Sequence, residues 1–92
     1  MTVYVDPPLW PRHERIWGHL VSDTSLDELH AFARAAGIPA RGFDLDHYDV
    51  PESLYPTLDE LGVVRVGTRE LVRILHASGL RVSSAKRHGR DR

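Results

Sequence analysis

The chain has 92 residues, enough for one domain with a single hydrophobic core and little room for a deep internal cavity. It contains no cysteine, which excludes disulfides and thiolate metal sites, and no apolar run near the ~18 residues that a membrane span needs. The N-terminus shows no signal-peptide pattern, so we expect a cytoplasmic protein. Because the core is small, we expect any site to lie in a surface groove or at an oligomer interface.

The net charge of −1 is unevenly distributed along the chain. The last ten residues, SSAKRHGRDR, carry four Lys or Arg and one Asp, whereas residues 1–82 carry eight basic and twelve acidic side chains. We predict one α/β domain over residues 1–82 and a basic, disordered tail over residues 83–92, which has too few apolar side chains to bury itself. The tail can contact phosphates or be a solvated end without a role, and the acidic folded part gives no support for nucleic-acid binding.

Two short strands are predicted at the start of the chain. Val3–Val5 is a β-prone run that two prolines end, and residues 7–15 then form a proline-rich loop. Trp17–Val21 is the second strand, in which Trp17, His19 and Val21 point to one face.

The first helix has clear start and stop signals. Ser25 and Glu28 form a capping box, so the helix begins at Leu26, and Gly37 ends it with support from Pro39. Its buried stripe consists of Leu26, Leu29, Phe32, Ala33 and Ala36.

The second half of the chain alternates strands with helices. His47–Val50 is predicted as a strand or a strand end, and Ser53 as the cap of a short helix that has Pro56 in its first turn and stops at Gly62. Val63–Val66 is the clearest strand in the sequence.

A second strong helix, residues 69–78, buries Leu71, Val72 and Leu75 and ends at Gly79, and Leu80–Val82 can add a final strand. This alternation predicts an α/β fold: a sheet of three to five strands, at least partly parallel, with two to three packed helices.

Polar side chains follow both N-terminal strands. Asp6 comes directly after the first strand, where metal and phosphate sites of α/β proteins gather, although an Asp before Pro is also a good turn starter. His19 and Asp23 lie near the end of the second strand. Asp23 also fits the mouth of the helix because the helix dipole favours negative charge there, and His19 also fits a half-buried histidine with one hydrogen bond.

The segment HYD at residues 47–49 is the most site-like cluster. His47 and Asp49 point the same way on an extended segment and Tyr48 points to the other face, so an imidazole and a carboxylate can hold a cation or form an oriented base. The alternative is an acidic loop, including Asp44 and Asp46, in which His47 titrates freely.

His30 is either a ligand or a boundary histidine of the first helix. It lies two residues after Glu28, so the two side chains cannot share a helix face and do not form a ligand pair.

These groups predict one site formed by separate segments. Catalytic roles are assigned to His47, Asp49 and His19. Ligand contacts are assigned to Tyr48, Trp17 and His30. Metal binding is assigned to Asp6, Asp23, His47 and Asp49. Oxygen and imidazole ligands suit Mg²⁺, Mn²⁺ or Zn²⁺, and such an ion can support hydrolysis by lowering the pKa of a bound water.

Four segments together resemble a known family. They are YVD at 4–6, WGHLVSDTSLDELHAFARAAGI at 17–38, HYDV at 47–50 and GVVRVGTRELV at 62–72, and they resemble the Domain of Unknown Function 4031 family of small bacterial and phage proteins. The resemblance covers residues 3–80 and implies a compact domain with a related surface. It brings no reaction, so it assigns no catalytic role to any residue.

Three functional hypotheses remain. The leading one is a site for a divalent metal or an anionic, phosphorylated small molecule, with metal-dependent hydrolysis as the reaction if the protein is an enzyme. The alternative is a non-enzymatic protein–protein interaction module or homo-oligomer that uses an exposed face with Trp10, Tyr48 and Tyr55. A weaker one is an accessory role on nucleic acid through the basic tail.

Overall fold

A mixed β-sheet of six strands, with helices on both faces, forms the centre of residues 1–82, the part of the chain that the computed structural model describes. The α/β class is confirmed, with more strands than the predicted three to five. The predicted disordered tail, residues 83–92, lies outside the described residues. The strands are β1 Val3–Val5, β2 Trp10–Arg12, β3 Arg15–Ser22, β4 Phe43–Asp44, β5 His47–Pro51 and β6 Val64–Arg65. The helices are α1 Leu26–Ala36, α2 Tyr55–Glu60 and α3 Thr68–Ser78, with 3₁₀ turns at Ala40–Gly42 and Glu52–Leu54.

The eight-residue strand β3 organises the sheet, whose order is β4-β5-β3-β1-β6. On one edge β3 pairs antiparallel with β2 along its first half and with β1 along its second half. On its other edge it pairs antiparallel with β5, which in turn pairs with β4. Only the β1–β6 pair is parallel among these strands, so the sheet is partly parallel, as predicted.

The two faces of the sheet carry separate cores. Val5, Leu20 and Val50 are fully buried on one face and pack against α1 and α2. On the other face Val21 packs against α3. The rest of that second face, around Trp17 and His19, stays open and lines a groove. The fold therefore leaves half of one sheet face available for a site.

Local signals set the ends of α1. The Ser25 hydroxyl accepts a hydrogen bond from the Glu28 N–H at 3.1 Å, and Gly37 ends the helix with a φ of +80°, both as predicted. The Glu28 carboxylate accepts a hydrogen bond from the Ser22 hydroxyl of β3. This bond takes the place of the one from the Ser25 backbone N–H that a complete capping box would contain.

Three boundaries in the second half differ from the prediction. Ser53 does not cap α2, because it lies inside the 3₁₀ turn that runs directly into the helix. The strand predicted over Val63–Val66 contains only Val64 and Arg65, since its partner β1 is itself three residues long. Leu80–Val82 forms no strand, because the Val82 N–H donates to the Asp46 carboxylate instead of a neighbouring strand.

One side chain of α3 was assigned to the wrong face. Val72 is 37% exposed, whereas Leu71 and Leu75, four residues apart, are buried. The buried face of the helix is narrower than the predicted stripe because α3 packs on only part of the sheet.

Replacing Gly18 with Ala is expected to lower the free energy of unfolding by about 2–3 kcal/mol. A Cβ at this position of β3 would overlap the Tyr55 hydroxyl oxygen and lie 2.9 Å from the Asp6 carbonyl oxygen. Urea unfolding of Gly18→Ala beside Gly67→Ala measures the effect, since a Cβ at residue 67 meets no atom within 4 Å. Equal stability of the two variants would contradict the close packing of β3 against Tyr55.

Candidate metal centre

Strand pairing brings the first site residues together. In the β3–β5 pair His19 lies directly opposite Asp49, so the two side chains leave the sheet on the same face. His47 precedes Asp49 by two residues in β5 and therefore points to that face as well. The three side chains lie on the open half of the face, beside the part that α3 covers.

His19, His47 and Asp49 have the composition and spacing of a metal-binding group. Each offers one ligand atom, and these atoms lie within 4.8 Å of one another. The His47 Nε2 atom is 3.2 Å from Asp49 Oδ1. Adjacent ligand atoms around an ion with bonds of about 2.1 Å lie about 3.0–3.4 Å apart, so this pair already has the separation of two ligands of one ion.

Asp6 holds the imidazole of His19 in place. Its Oδ2 atom is 3.0 Å from His19 Nδ1 and also accepts a hydrogen bond from the Thr68 hydroxyl at 3.0 Å, while Oδ1 accepts the His19 backbone N–H at 2.6 Å. Asp6 is 1% exposed. Because the carboxylate engages Nδ1, the Nε2 atom of His19 is left for a ligand.

Asp46 has the same relation to His47. Its Oδ1 atom is 2.7 Å from His47 Nδ1, and the carboxylate is fully buried. Its Oδ2 atom accepts the Val82 N–H at 2.9 Å and lies 3.7 Å from the Arg81 guanidinium. The segment after α3 thus holds the Asp46 carboxylate that contacts His47.

Asp46 is the contact of the candidate centre that the sequence analysis missed. It was placed among the acids of a loop in which His47 titrates freely, whereas it is a buried partner of that histidine. Leu45 adopts a φ of +62°, which turns the chain sharply between β4 and β5. The available signal was an Asp directly before His47, but adjacent residues of a strand point to opposite faces, so only this turn brings them together.

The charges of the metal-free centre follow from its hydrogen bonds. Burial raises the pKa of Asp6, but the hydrogen bonds from His19 outweigh it, so the pKa is lowered and the carboxyl group is ionised. The hydrogen bond from His47 lowers the pKa of Asp49. Burial opposes protonation of His47, but its hydrogen bonds to Asp49 and Asp46 outweigh burial and raise its pKa. These contacts therefore favour a protonated His47 between the carboxylates of Asp46 and Asp49.

The metal-free protein is expected to lose stability as pH rises above 6.5. Because the pKa of His47 is raised on folding, its contribution is full below the unfolded value of 6.5 and is lost as pH rises through the folded value. Urea unfolding in EDTA from pH 5 to pH 9 should show the stability gap between wild type and His47→Gln closing as pH rises. A gap that does not change with pH would contradict this origin, and His76→Gln, at an exposed position of α3, is the control.

Asp23, predicted as a metal ligand, lies apart from the centre. Its Oδ1 atom accepts the Thr2 N–H at 2.9 Å, and the Tyr4 hydroxyl donates to Oδ2 at 3.3 Å. It lies beyond the end of β3 and ties the start of β1 to the loop before α1. Asp23 therefore has a structural role, but as a link between β1 and this loop rather than as a charge bound to the helix N-terminus.

Tyr48 and His30, both predicted to contact a ligand, lie on the side of the sheet opposite the candidate centre. Tyr48 points away from His47 and Asp49 and is 4% exposed. Its hydroxyl is 2.7 Å from Nδ1 of His30, and both rings contact Phe43. Trp17, the third predicted ligand-binding residue, does line the groove beside His19.

The interaction face predicted from three aromatic residues is not a single surface. Tyr48 and Tyr55 are both 4% exposed and belong to the main core, and only Trp10 is exposed. The Tyr55 hydroxyl is also used internally, since it donates to the Asp6 carbonyl oxygen at 2.6 Å.

A family model described as a protein of unknown function, DUF4031, matches residues 3–78. The chain belongs to this family. The resemblance seen in the sequence is confirmed, and the matched range of this DUF4031 protein contains His19, His47 and Asp49 as well as Asp6 and Asp46, which hold the two histidines. The searches of curated proteins and of solved structures found no match. Since the family description names no activity, a function has to be argued from the chemistry of the site.

No helix within residues 1–82 has the length and apolar character that crossing a bilayer requires. The cytoplasmic location expected from the sequence stays a prediction.

Proposed function

We propose that this protein binds one divalent transition-metal ion through His19, His47 and Asp49 and uses it to hydrolyse an anionic substrate. The observation that carries the proposal is that a buried carboxylate fixes the Nδ1 atom of each histidine. Histidines that ligate metals almost always donate their other ring N–H in this way, which sets the tautomer and raises the basicity of the ligand nitrogen. The pairs Asp6–His19 and Asp46–His47, together with Asp49, therefore form a set of three ligands whose two imidazoles are already oriented.

The ligand types favour some ions over others. Two imidazoles and one carboxylate suit Zn²⁺, Mn²⁺ or Fe²⁺, whereas Mg²⁺ prefers oxygen ligands and retains most of its water. Zn²⁺ and Mn²⁺ are therefore preferred among the three ions expected from the sequence. Three protein ligands also leave coordination positions open, as in catalytic rather than structural zinc sites.

The position of the centre supports chemistry on a ligand from solution. When bound, such an ion would lower the pKa of a coordinated water, toward 7 for Zn²⁺, and would so supply a nucleophile. His19 and Asp49 line the groove on the open half of the sheet face, so a substrate can reach the centre. Asp6 and Asp46 lie behind the histidines, where they hold the rings without occupying the substrate side.

Calorimetric titration of EDTA-treated protein with ZnCl₂ and MnCl₂ tests the proposal. Wild type should bind one equivalent of metal with a rise in melting temperature, and it should hydrolyse p-nitrophenyl phosphate only with metal present. His47→Ala and His19→Ala should lose both properties, whereas His76→Ala should retain them because His76 is exposed on α3, away from the centre. Heats and melting curves shared by wild type and His47→Ala would refute the metal site. Metal binding without hydrolysis of any phosphate or carboxylate ester would refute the enzymatic part.

A further inference from the structure

A groove of about 930 Å³ adjoins the candidate metal centre, and its walls combine aromatic and cationic side chains. The β2–β3 hairpin forms one wall, and the segment between α1 and β4 forms another. Its aromatic and cationic lining residues are Trp10, Trp17, Arg12, Arg15 and Arg41, and two carboxylates, Asp44 and Asp49, also line it. The groove is thus continuous with the metal ligands.

An exposed indole stands directly beside the centre. Trp10 is 50% exposed, and its ring meets the imidazole of His19 edge-on at a centroid distance of 5.5 Å. Trp17 faces it across the hairpin and is held by a hydrogen bond from its Nε1 atom to the Arg12 carbonyl oxygen at 2.8 Å. The exposed indole of Trp10, packed beside His19 and Trp17, offers a stacking surface for a flat ligand.

Two arginines lie opposite each other at the end of the same hairpin. Arg12 pairs with Arg15 in the β2–β3 register, so the side chains leave the sheet on the face that carries Trp10 and Trp17. Like charges opposite each other destabilise a strand pair. The charge of Arg12 helps to lower the pKa of Asp49, so this guanidinium faces the centre, and neither arginine has an ion-pair partner among residues 1–82 that an anion would have to displace.

We propose that the groove binds a nucleotide, with the base on Trp10 and the phosphate between the Arg12–Arg15 pair and the metal centre. Guanidinium groups match phosphate oxygens in a planar, two-point geometry, and an indole stacks on any base because every base has a π-face. The inference rests on the proposed function and names its substrate class, a phosphate ester that carries a planar ring. The reaction is then hydrolysis: the oxygen of water bonds to phosphorus, the P–O bond to the nucleoside breaks, and the leaving oxygen takes a proton from the water.

Calorimetry with AMP, ribose 5-phosphate and adenosine separates the contributions of the phosphate and the base. AMP should bind about 10-fold more tightly than either fragment, in EDTA as well as with Zn²⁺, because the arginines and the indole do not depend on the metal. Trp10→Ala should reduce AMP to the affinity of ribose 5-phosphate, and Arg12→Ala/Arg15→Ala should weaken AMP at least about 10-fold. Leu9→Ala and Arg69→Ala are the matched controls, since both residues are exposed and lie outside the groove lining.

The possible results separate this inference from the metal site. Equal affinities for AMP and ribose 5-phosphate, or an arginine double variant with unchanged AMP affinity, would overturn nucleotide binding even if the protein binds Zn²⁺. A single-stranded oligonucleotide that binds 100-fold more tightly than AMP would overturn a mononucleotide as the occupant. AMP binding that depends on Trp10 and both arginines, in a protein that takes up no metal, would uphold the nucleotide site and refute the proposed metal site together with the hydrolysis that depends on it.

Discussion

Replacing Asp46 with Asn is expected to weaken Zn²⁺ binding by about 10–100-fold, although Asp46 does not belong to the ligand set. Its carboxylate is 2.7 Å from His47 Nδ1, and no solvent reaches it. A neutral amide can still accept a hydrogen bond from the ring, but it stabilises the electron-rich, metal-binding imidazole less than a negative charge does. Calorimetric titration of Asp46→Asn with ZnCl₂ measures the loss.

Asp59→Asn is the matched control for this variant. It removes one negative charge, and Asp59 forms an exposed ion pair with Arg65 at 2.8 Å on another part of the surface. Zn²⁺ affinity of this control should equal that of wild type. NMR of the imidazole nitrogens adds an independent readout, because the loss of Asp46 should change the ratio of the two tautomers of neutral His47 in EDTA-treated protein at high pH. If Asp46→Asn keeps the wild-type Zn²⁺ affinity and the wild-type tautomer ratio of His47, Asp46 stabilises the fold without influencing metal binding.

Replacing Asp6 with Ala is expected to lower the free energy of unfolding by about 3 kcal/mol. The buried carboxylate connects β1 to β3 through the backbone and ring of His19 and to α3 through Thr68. Removing it leaves the His19 N–H and the Thr68 hydroxyl without their acceptor in a site that water reaches poorly. Urea unfolding at neutral pH in EDTA measures the change without a contribution from metal.

Asp23→Ala tests whether the expected loss of unfolding free energy is specific to Asp6 or follows the removal of any hydrogen-bonded carboxylate. Asp23 also accepts hydrogen bonds from a backbone N–H and from two hydroxyl groups, but it is only half-buried. Its loss should cost about 1 kcal/mol and should leave Zn²⁺ affinity unchanged. A larger loss of stability for Asp23→Ala than for Asp6→Ala would contradict the assignment of Asp6 as the central connection.

Helix ends and strand faces could be predicted because they depend on neighbours in the chain. The Ser25 cap and the left-handed Gly37 define α1 through contacts three to five residues apart. The shared face of His47 and Asp49, and the opposite direction of Tyr48, follow from the two-residue period of a strand. Within the predicted site, the relative directions of residues in one extended segment are thus the part that could be read from the sequence.

The strand β2 could not be predicted from its composition. It lies in a proline-rich segment, and it turns into β3 through His13 and Glu14, which both have positive φ values. Such hairpin turns are normally signalled by Asn-Gly or Asp-Gly, and neither is present here. Without β2, the sequence could not reveal that Trp10 and Trp17 stand opposite each other or that Arg12 faces Arg15.

The centre itself was decided by tertiary structure. The register of β3 against β5 puts His19 opposite Asp49, and a slip of one residue would turn its ring to the other face of the sheet. The assignment of Asp6 and Asp46 as supports of the histidines, and the separation of Asp23 and His30 from them, depend on contacts between residues 13 to 62 positions apart or on one sharp turn. Sequence alone determined which residues can bind a metal and which of them share a strand face, because those properties are local. Which carboxylate lies among the candidate ligands and which one holds a histidine depends on burial and on strand register, and both exist only once the whole sheet has formed.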